Sequence, residues 1–194
     1  MRHSSLFIML GVFSVALIAI FSSFATTLKA ETGIHLATPT ITVKPEELQI
    51  DPHELECLAK NIYFEAGNQS TAGKVAVANV TFNRVDDKDF PNGVCKVVTE
   101  GPVSAWHKSE GRIVPILHKC QFSWFCDGKK DIPYDSQAWE ESQLIAFITY
   151  KRWIEGKTLD ITDGALYYHA NYVKPSWSKR LNRTVVIDDH IFYR

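Results

Sequence analysis

The chain of 194 residues lacks any excess of positive charge: 21 Lys and Arg stand against 22 Asp and Glu, a formal net charge of -1. Nucleic-acid binding usually shows as a basic excess, so that class of partner is set aside. Several short chemical motifs are missing as well. There is no CxxC, no HExxH and no tight His pair, which removes the familiar spacings of a zinc site. No GxSxG elbow surrounds a serine and no Gly-rich phosphate loop is present. The composition otherwise describes a folded protein, with 45% hydrophobic and 22% charged residues.

The first 30 residues contain no Asp or Glu. Arg2 and His3 precede an apolar run from Leu6 to Phe21, followed by SSFA with small Ser23 and Ala25. This is the order of a secretory signal peptide. The run falls short of the ~20 apolar residues that span a bilayer, so a cleaved peptide and an uncleaved signal anchor both stay open. Either way the remainder is expected outside the cytoplasm, periplasmic or extracellular, with membrane contact only through this segment if it is retained. Removing 1–30 leaves 164 residues with 19 basic and 22 acidic side chains, net -3.

All four cysteines, Cys57, Cys95, Cys120 and Cys126, lie in the exported part. An even number in an oxidising compartment predicts two disulfides. Of the three possible connectivities, Cys57–Cys95 with Cys120–Cys126 is favoured, because the second pair closes a short aromatic segment. Paired in this way, none of the four is a free thiol nucleophile.

Residues 31–50 show no sustained periodicity and read as a linker; the folded domain is expected over 51–194. Asp51 and Pro52 open a helix, with Glu54 completing a capping box. Leu55, Leu58, Ala59, Ile62 and Ala66 continue it at helical spacing, and Gly67 stops it. A second helix is predicted over Thr71–Val85 with a stripe of Ala72, Val75, Ala76, Asn79, Phe82 and Asn83. DDKDFPNG is a turn-rich loop, and 94–119 carries no clear signal. Asp135 or Ser136 caps a third helix ending at Gly156, with Trp139, Ala146, Phe147, Tyr150 and Ile154 on one face and Leu144 and Trp153 near it. Residues 165–170 and 184–187 read as strands, and Asp188-Asp189 turns the second into a hairpin with 190–193. Helices first and a small sheet last predict an α+β domain.

Glu65 is the sharpest single residue. At 100° per residue, with Leu55 at the origin, it falls at about 280°, beside Leu58 at about 300° and Ile62 at about 340°. A carboxyl at the margin of an apolar stripe loses hydration, and its pKa rises. A general acid at a glycosidic oxygen needs that shift. The negative end of the helix dipole pushes the same way. The structural alternative is a Glu65–Arg84 pair that only ties two helices together.

The segments LAKNIYFEAGNQSTAGKVAVANVTFNRV, FPNGVCKVV, CQFSW, CDG, GALYYHA and IDDHIFY occur in one order over about Leu55 to Tyr193. That arrangement resembles the SleB-type cell-wall hydrolases, spore-cortex-lytic enzymes and related peptidoglycan hydrolases. The resemblance implies a lysozyme/lytic-transglycosylase-like helical body with a small C-terminal antiparallel β element. It makes Glu65 the catalytic acid and peptidoglycan glycan strands the partner, cut between N-acetylmuramic acid and N-acetylglucosamine. No cofactor and no metal are expected, and the protein is expected to be a monomer.

A glycosidase usually carries two carboxylates. Glu100, Asp127, Asp131 and Asp163 are the candidates for the second; none is singled out, and Asp127 and Asp163 precede glycines as turn residues do. Lytic transglycosylation needs only one, because the muramoyl hydroxymethyl group replaces water. The expectation is therefore a lytic route, with a hydrolytic muramidase, an amidase and a non-catalytic wall-binding module as alternatives. Gln121 and Ser123 sit beside the proposed short disulfide, where an amide can bond an N-acetyl group. In the strand, Tyr168 faces opposite to Tyr167 and His169. Tyr168, His169 and Trp177 are the expected groove residues, Trp177 by stacking on a sugar face. His190 and Tyr193 are expected to pack and hydrogen-bond in the hairpin, and Asn79 and Asn83 to bond backbone or loop groups.

Overall fold

The structure, a computed structural model, describes residues 49–194. The expected leader, and the expected linker up to residue 48, lie outside the described residues. Among the described residues no helix is long and apolar enough to cross a membrane.

The element order is α1 (Pro52–Ala66), α2 (Thr71–Asp86), α3 (Val94–Val98), α4 (Ala105–Ser109), α5 (Ser136–Ile154), β1 (Tyr167–Ala170), β2 (Arg183–Ile187) and β3 (His190–Tyr193). Helices precede a single antiparallel sheet of order β1-β3-β2, so the α+β expectation holds. Residues 94–119, which the sequence left unassigned, hold α3, α4 and an isolated bridge between Val103 and Pro115.

Helix α1 starts as expected at Asp51, whose carboxylate accepts the His53 N–H at 2.8 Å. The capping box does not form. Glu54 instead accepts the Cys95 N–H at 2.9 Å, in the first turn of α3, where Gly93 supplies no side-chain cap. With Asp51 already capping α1, the carboxylate goes to the unserved helix start, where unpaired N–H groups attract it. Gly67 ends α1 in a right-handed conformation, φ -56°, not the left-handed one expected of a glycine stop. A Cβ there would lie 2.5 Å from the Tyr63 carbonyl oxygen, so close approach explains the glycine.

Helix α2 is central. It packs against α1, α3, α5 and β2, and Ala76, Val77, Ala78, Asn79, Val80, Thr81, Phe82 and Arg84 are all buried. The expected single stripe is therefore too narrow, and Ala72 within it is exposed. A helix covered on most sides carries little amphipathic signal.

Helix α5 is capped by Asp135, which accepts the Ala138 N–H at 3.0 Å, and Gly156 follows it at φ +65°. Its buried face is Ser142, Ile145, Ala146, Thr149 and Tyr150. Phe147 and Leu144, placed on or near that face by the sequence, are 46% and 59% exposed. The stripe is rotated because two hydroxyls are buried in it: Ser142 donates to the Ala138 carbonyl and Thr149 to the Ile145 carbonyl, both at 2.7 Å. Back-bonding of this kind removes the cost of burying the hydroxyl.

The main core joins Leu58, Ile62, Val77, Phe82, Val97 and Phe122. A smaller cluster of Ala76, Val80, Ala165 and Phe192 holds the sheet to α2, and Tyr168 packs on both. Burial of each large side chain is worth about 1.5–3 kcal/mol. Polar ties complete the joint. Asn79 accepts the Ile161 N–H at 3.1 Å, and Asn83 donates to the Ala165 carbonyl at 3.0 Å and to Asp160 at 3.1 Å. Both amides thus bond loop groups as expected, and they fix the chain entering β1. At the hairpin turn, where Asp188 has φ +49°, the Asp188 carboxylate accepts from the Ser70 hydroxyl at 2.7 Å and the Ser70 N–H at 3.0 Å. Ser70 also caps α2.

The two disulfides are Cys57–Cys95 and Cys120–Cys126, with Cα separations of 5.2 Å and 6.1 Å. The first staples α1 to α3. The second closes the loop that leads into a 3-10 turn at Ser123–Cys126. Among the described residues, the group with metal-like spacing is His53, Cys57 and Cys95. The two sulfurs are bonded to each other, so neither can serve as a thiolate ligand.

Candidate active site

Glu65 occupies the last turn of α1 and is partly buried. Its Oε2 accepts a hydrogen bond from the Tyr168 hydroxyl at 2.9 Å. Burial raises the Glu65 pKa; the Tyr168 hydrogen bond and the Arg84 charge oppose this without cancelling it. Tyr168 is pushed the same way, its phenol raised well above the ordinary value by burial, then by the adjacent carboxyl. Tyr168 therefore remains a donor while Glu65 titrates. A carboxyl that holds its proton longer than usual, next to a fixed donor, is equipped to give that proton away.

Arg84 does not form the helix-tying pair with Glu65. Its Nε donates to the Leu166 carbonyl at 2.7 Å, and its guanidinium lies 5.0 Å from the Phe122 ring centroid and 5.3 Å from that of Phe90. Nη1 is buried without a hydrogen-bond partner. Burial also lowers the Arg84 pKa. Its charge thus reaches Glu65 through space only.

Two adjoining hollows form a groove along this site. One, of about 610 Å³, is lined by Glu65, Gln121, Ser123, Tyr168, His169 and others. The next, of about 700 Å³, is lined by Trp177 with Tyr167 and Arg180. Arg84, Gln121 and Tyr168 belong to both. The structure thus brings Glu65, Gln121, Ser123, Tyr168 and His169 to one hollow and places Trp177 in its neighbour. The Gln121 side-chain amide makes no hydrogen bond among the described residues, while its backbone N–H donates to the Glu100 carbonyl at 2.9 Å. His169 is spent on the protein: Nδ1 donates to the Ala170 carbonyl at 2.9 Å, and Nε2 accepts from the Tyr193 hydroxyl at 3.0 Å. Trp177 meets the rings of Tyr193 and His169 edge to face, at 5.5 Å and 5.6 Å.

Of the four candidate second carboxylates, Asp127 and Asp131 line the Glu65 hollow. Asp127 is held ionised by the Lys129 N–H and by the Lys129 charge; Asp131 is raised by burial and by repulsion from Asp127. Asp127 keeps its expected turn role by accepting the Lys129 N–H at 2.8 Å. Asp163 sits in a turn at φ +56° and faces Arg194 at 3.6 Å. Glu100 lines neither hollow and keeps a buried carboxylate oxygen without a partner.

Sequence reasoning missed the residues of the helical body that brace the groove from beneath. Asn61 accepts from the Trp124 indole N–H at 3.0 Å and donates to the Thr81 hydroxyl at 3.1 Å. Trp124 in turn stacks on Phe64 at 4.7 Å. The Tyr63 hydroxyl accepts the N–H groups of Tyr134 and Asp135, at 3.1 Å and 3.0 Å. The available signal was an amide four residues before Glu65 on the same helix face. His190, expected to pack and hydrogen-bond in the hairpin, packs on Tyr168 at 5.0 Å. It also lines the Glu65 hollow, with a buried, unpartnered Nδ1 and a pKa lowered by burial.

A family model described as Cell Wall Hydrolase matches residues 68–193. The match includes Gln121, Ser123, Tyr168, His169 and Trp177 and begins just after Glu65. Comparison with curated proteins finds no match. Two solved structures are similar. The catalytic domain of the Bacillus cereus SleB protein is 25% identical over 75% of this chain and 93% of that one, with a TM-score of 0.47. The catalytic domain of the germination-specific lytic transglycosylase SleB from Bacillus anthracis is 24% identical over 75% and 97%, with a TM-score of 0.48.

Proposed function

Because the chain belongs to the cell wall hydrolase family, we propose that it cleaves peptidoglycan between N-acetylmuramic acid and N-acetylglucosamine, with Glu65 as the catalytic acid. The observation that carries this reading is the Glu65 carboxyl, raised in pKa by burial, bonded to Tyr168 and opening into a groove. Glu65 gives its proton to the glycosidic oxygen as the bond to the muramoyl C1 breaks. Tyr168 holds the resulting carboxylate in place. Glu65 then takes the proton from the muramoyl C6 hydroxyl as that oxygen bonds to C1, closing an anhydro ring. No water is consumed, and Glu65 ends protonated for the next cycle. Gln121 and Ser123 bond N-acetyl groups in this reading, and Trp177 stacks on a sugar. The reading calls on no cofactor and places the enzyme outside the cytoplasm as a single chain, where its two disulfides persist.

A second reading has its own support. Asp127 and Asp131 face the same hollow with pKa values pushed in opposite directions, the pattern of a divided acid and base. An ionised Asp127 would steer water to C1 and make the enzyme a hydrolytic muramidase. Mass spectrometry of released fragments decides. Anhydro-muramoyl ends are expected; hydrated reducing ends would favour the second reading, and free stem peptides would overturn both.

A further inference from the structure

The hollow at Trp177 lies past Tyr168 and has a different chemistry from the Glu65 hollow. Its lining is Arg84, Gln121, Tyr167, Tyr168, Trp177, Arg180 and Leu181, with no carboxylate among them. Arg84 is 4% exposed, and its Nη1 has no partner. Arg180 is exposed and forms no ion pair among the described residues. Glu65 and Glu100 are the acids whose charge reaches Arg84, and neither lines this hollow. The segment 165–187 contains no Asp or Glu but carries Lys174, Lys179, Arg180 and Arg183, all exposed. A cationic rim on an acidic chain is a local feature and points to a local anion.

Resting on the proposed peptidoglycan substrate, we propose that this hollow is a subsite for the stem peptide, a short carboxylate-bearing peptide on the muramoyl sugar. Arg180 meets its carboxylate at the rim, and Arg84 supplies a desolvated donor at the floor. The chemistry of the sugar agrees with the layout. The muramoyl ring carries its peptide on the lactyl ether at O3, close to the scissile C1. A ring cut at Glu65 can send the peptide into the adjoining hollow, because Arg84, Gln121 and Tyr168 line both. Tyr167 and Leu181 give an apolar wall along which the peptide lies.

The test uses the full chain carrying Glu65→Gln, so that binding is read without turnover. Calorimetry compares soluble glycan fragments bearing stem peptides with the same fragments stripped of peptide. The peptide-bearing fragments are expected to bind about tenfold tighter, as one charge-assisted contact allows. That preference should shrink as salt rises from ~0.05 to ~0.5 M. It should vanish when Arg180→Glu is added. Arg84→Lys should reduce it, and Arg180→Glu, at an exposed position, keeps the test valid if the buried substitution impairs folding. Equal affinity for the two fragments, or a preference that survives Arg180→Glu, overturns the subsite. If the unsubstituted chain still cuts the wall, such a result leaves the proposed function standing. Failure to bind either fragment, together with no cleavage, removes both.

Discussion

The helical body and the groove wall treat buried polar groups in opposite ways. In the body, Asn61, Thr81, Ser142 and Thr149 are buried and hydrogen-bonded. Along the groove, Arg84 Nη1 and His190 Nδ1 are buried without partners, and Glu65 has Tyr168 as its hydrogen-bonded partner. An unmet buried polar atom costs about 1–3 kcal/mol, so a fold keeps few of them. Two of the four such side-chain atoms among the described residues belong to residues lining the Glu65 hollow, where an open site leaves them without protein partners. Substitutions in the body should therefore cost stability, and substitutions in the groove should cost activity.

The largest expected effect is at Glu65. Glu65→Gln should reduce wall cleavage by about a hundredfold to ten-thousandfold, the usual contribution of a general acid, read as the rate of fragment release. The same variant should be more stable at neutral pH. The folded Glu65 pKa is raised above 4.5, so between 4.5 and the raised value the folded chain holds a proton that the unfolded chain has lost. Its contribution to stability is present below that window and lost as pH rises through it. Thermal melting across this range should show a slope that Glu65→Gln removes. A less stable Glu65→Gln variant would break the contrast at its strongest point.

Next come the disulfides. Cys57–Cys95 closes a separation of 38 residues and Cys120–Cys126 one of 6. Replacing each pair by serine should cost about 4 and about 2 kcal/mol respectively, measured by denaturant unfolding. Activity measured on the folded fraction should fall more for the second pair, because Gln121 and Ser123 ride on that loop. Asn61→Ala should cost about 1–3 kcal/mol by stranding the Trp124 N–H, with a smaller change in rate. The smallest effect is expected from Tyr168→Phe, about a tenfold loss of kcat if one hydrogen bond to a charged group is removed. Losing that bond also lifts the Glu65 pKa further, since the bond lowers it. The alkaline limb of the pH–rate profile should therefore move to higher pH. A downward shift would mean that Tyr168 does not serve Glu65.

Local rules read much of the fold because the residues that carry them act within a few positions. Asp51 and Asp135 cap their own helices, and Asp188-Asp189 turns its own hairpin. The same rules misplaced Glu54, which caps a helix 41 residues further on, and misjudged the face of α5, where the buried residues include Ser142 and Thr149. Residues 94–119 gave little periodic signal because α3 and α4 are each five residues long. At the site, the wheel found Glu65 from its place on an apolar margin. It could not find Asn61, Tyr63 or His190, whose roles depend on partners far along the chain.

Sequence alone determined the starts of α1, α2 and α5, the hairpin, the even cysteine count and the place of Glu65 at the end of α1, since each is set by near neighbours or by composition. Tertiary structure decided which groups meet that acid. Tyr168 reaches Glu65 across 103 positions, because β1 is docked on α2 by Asn79, Asn83 and the small core around Phe192. Tertiary structure also narrowed four possible second carboxylates to Asp127 and Asp131 and gathered Arg84 and Arg180 at one hollow. Periodicity places a residue on a face; the proximity and desolvation that tune its chemistry come only from packing that face against distant chain.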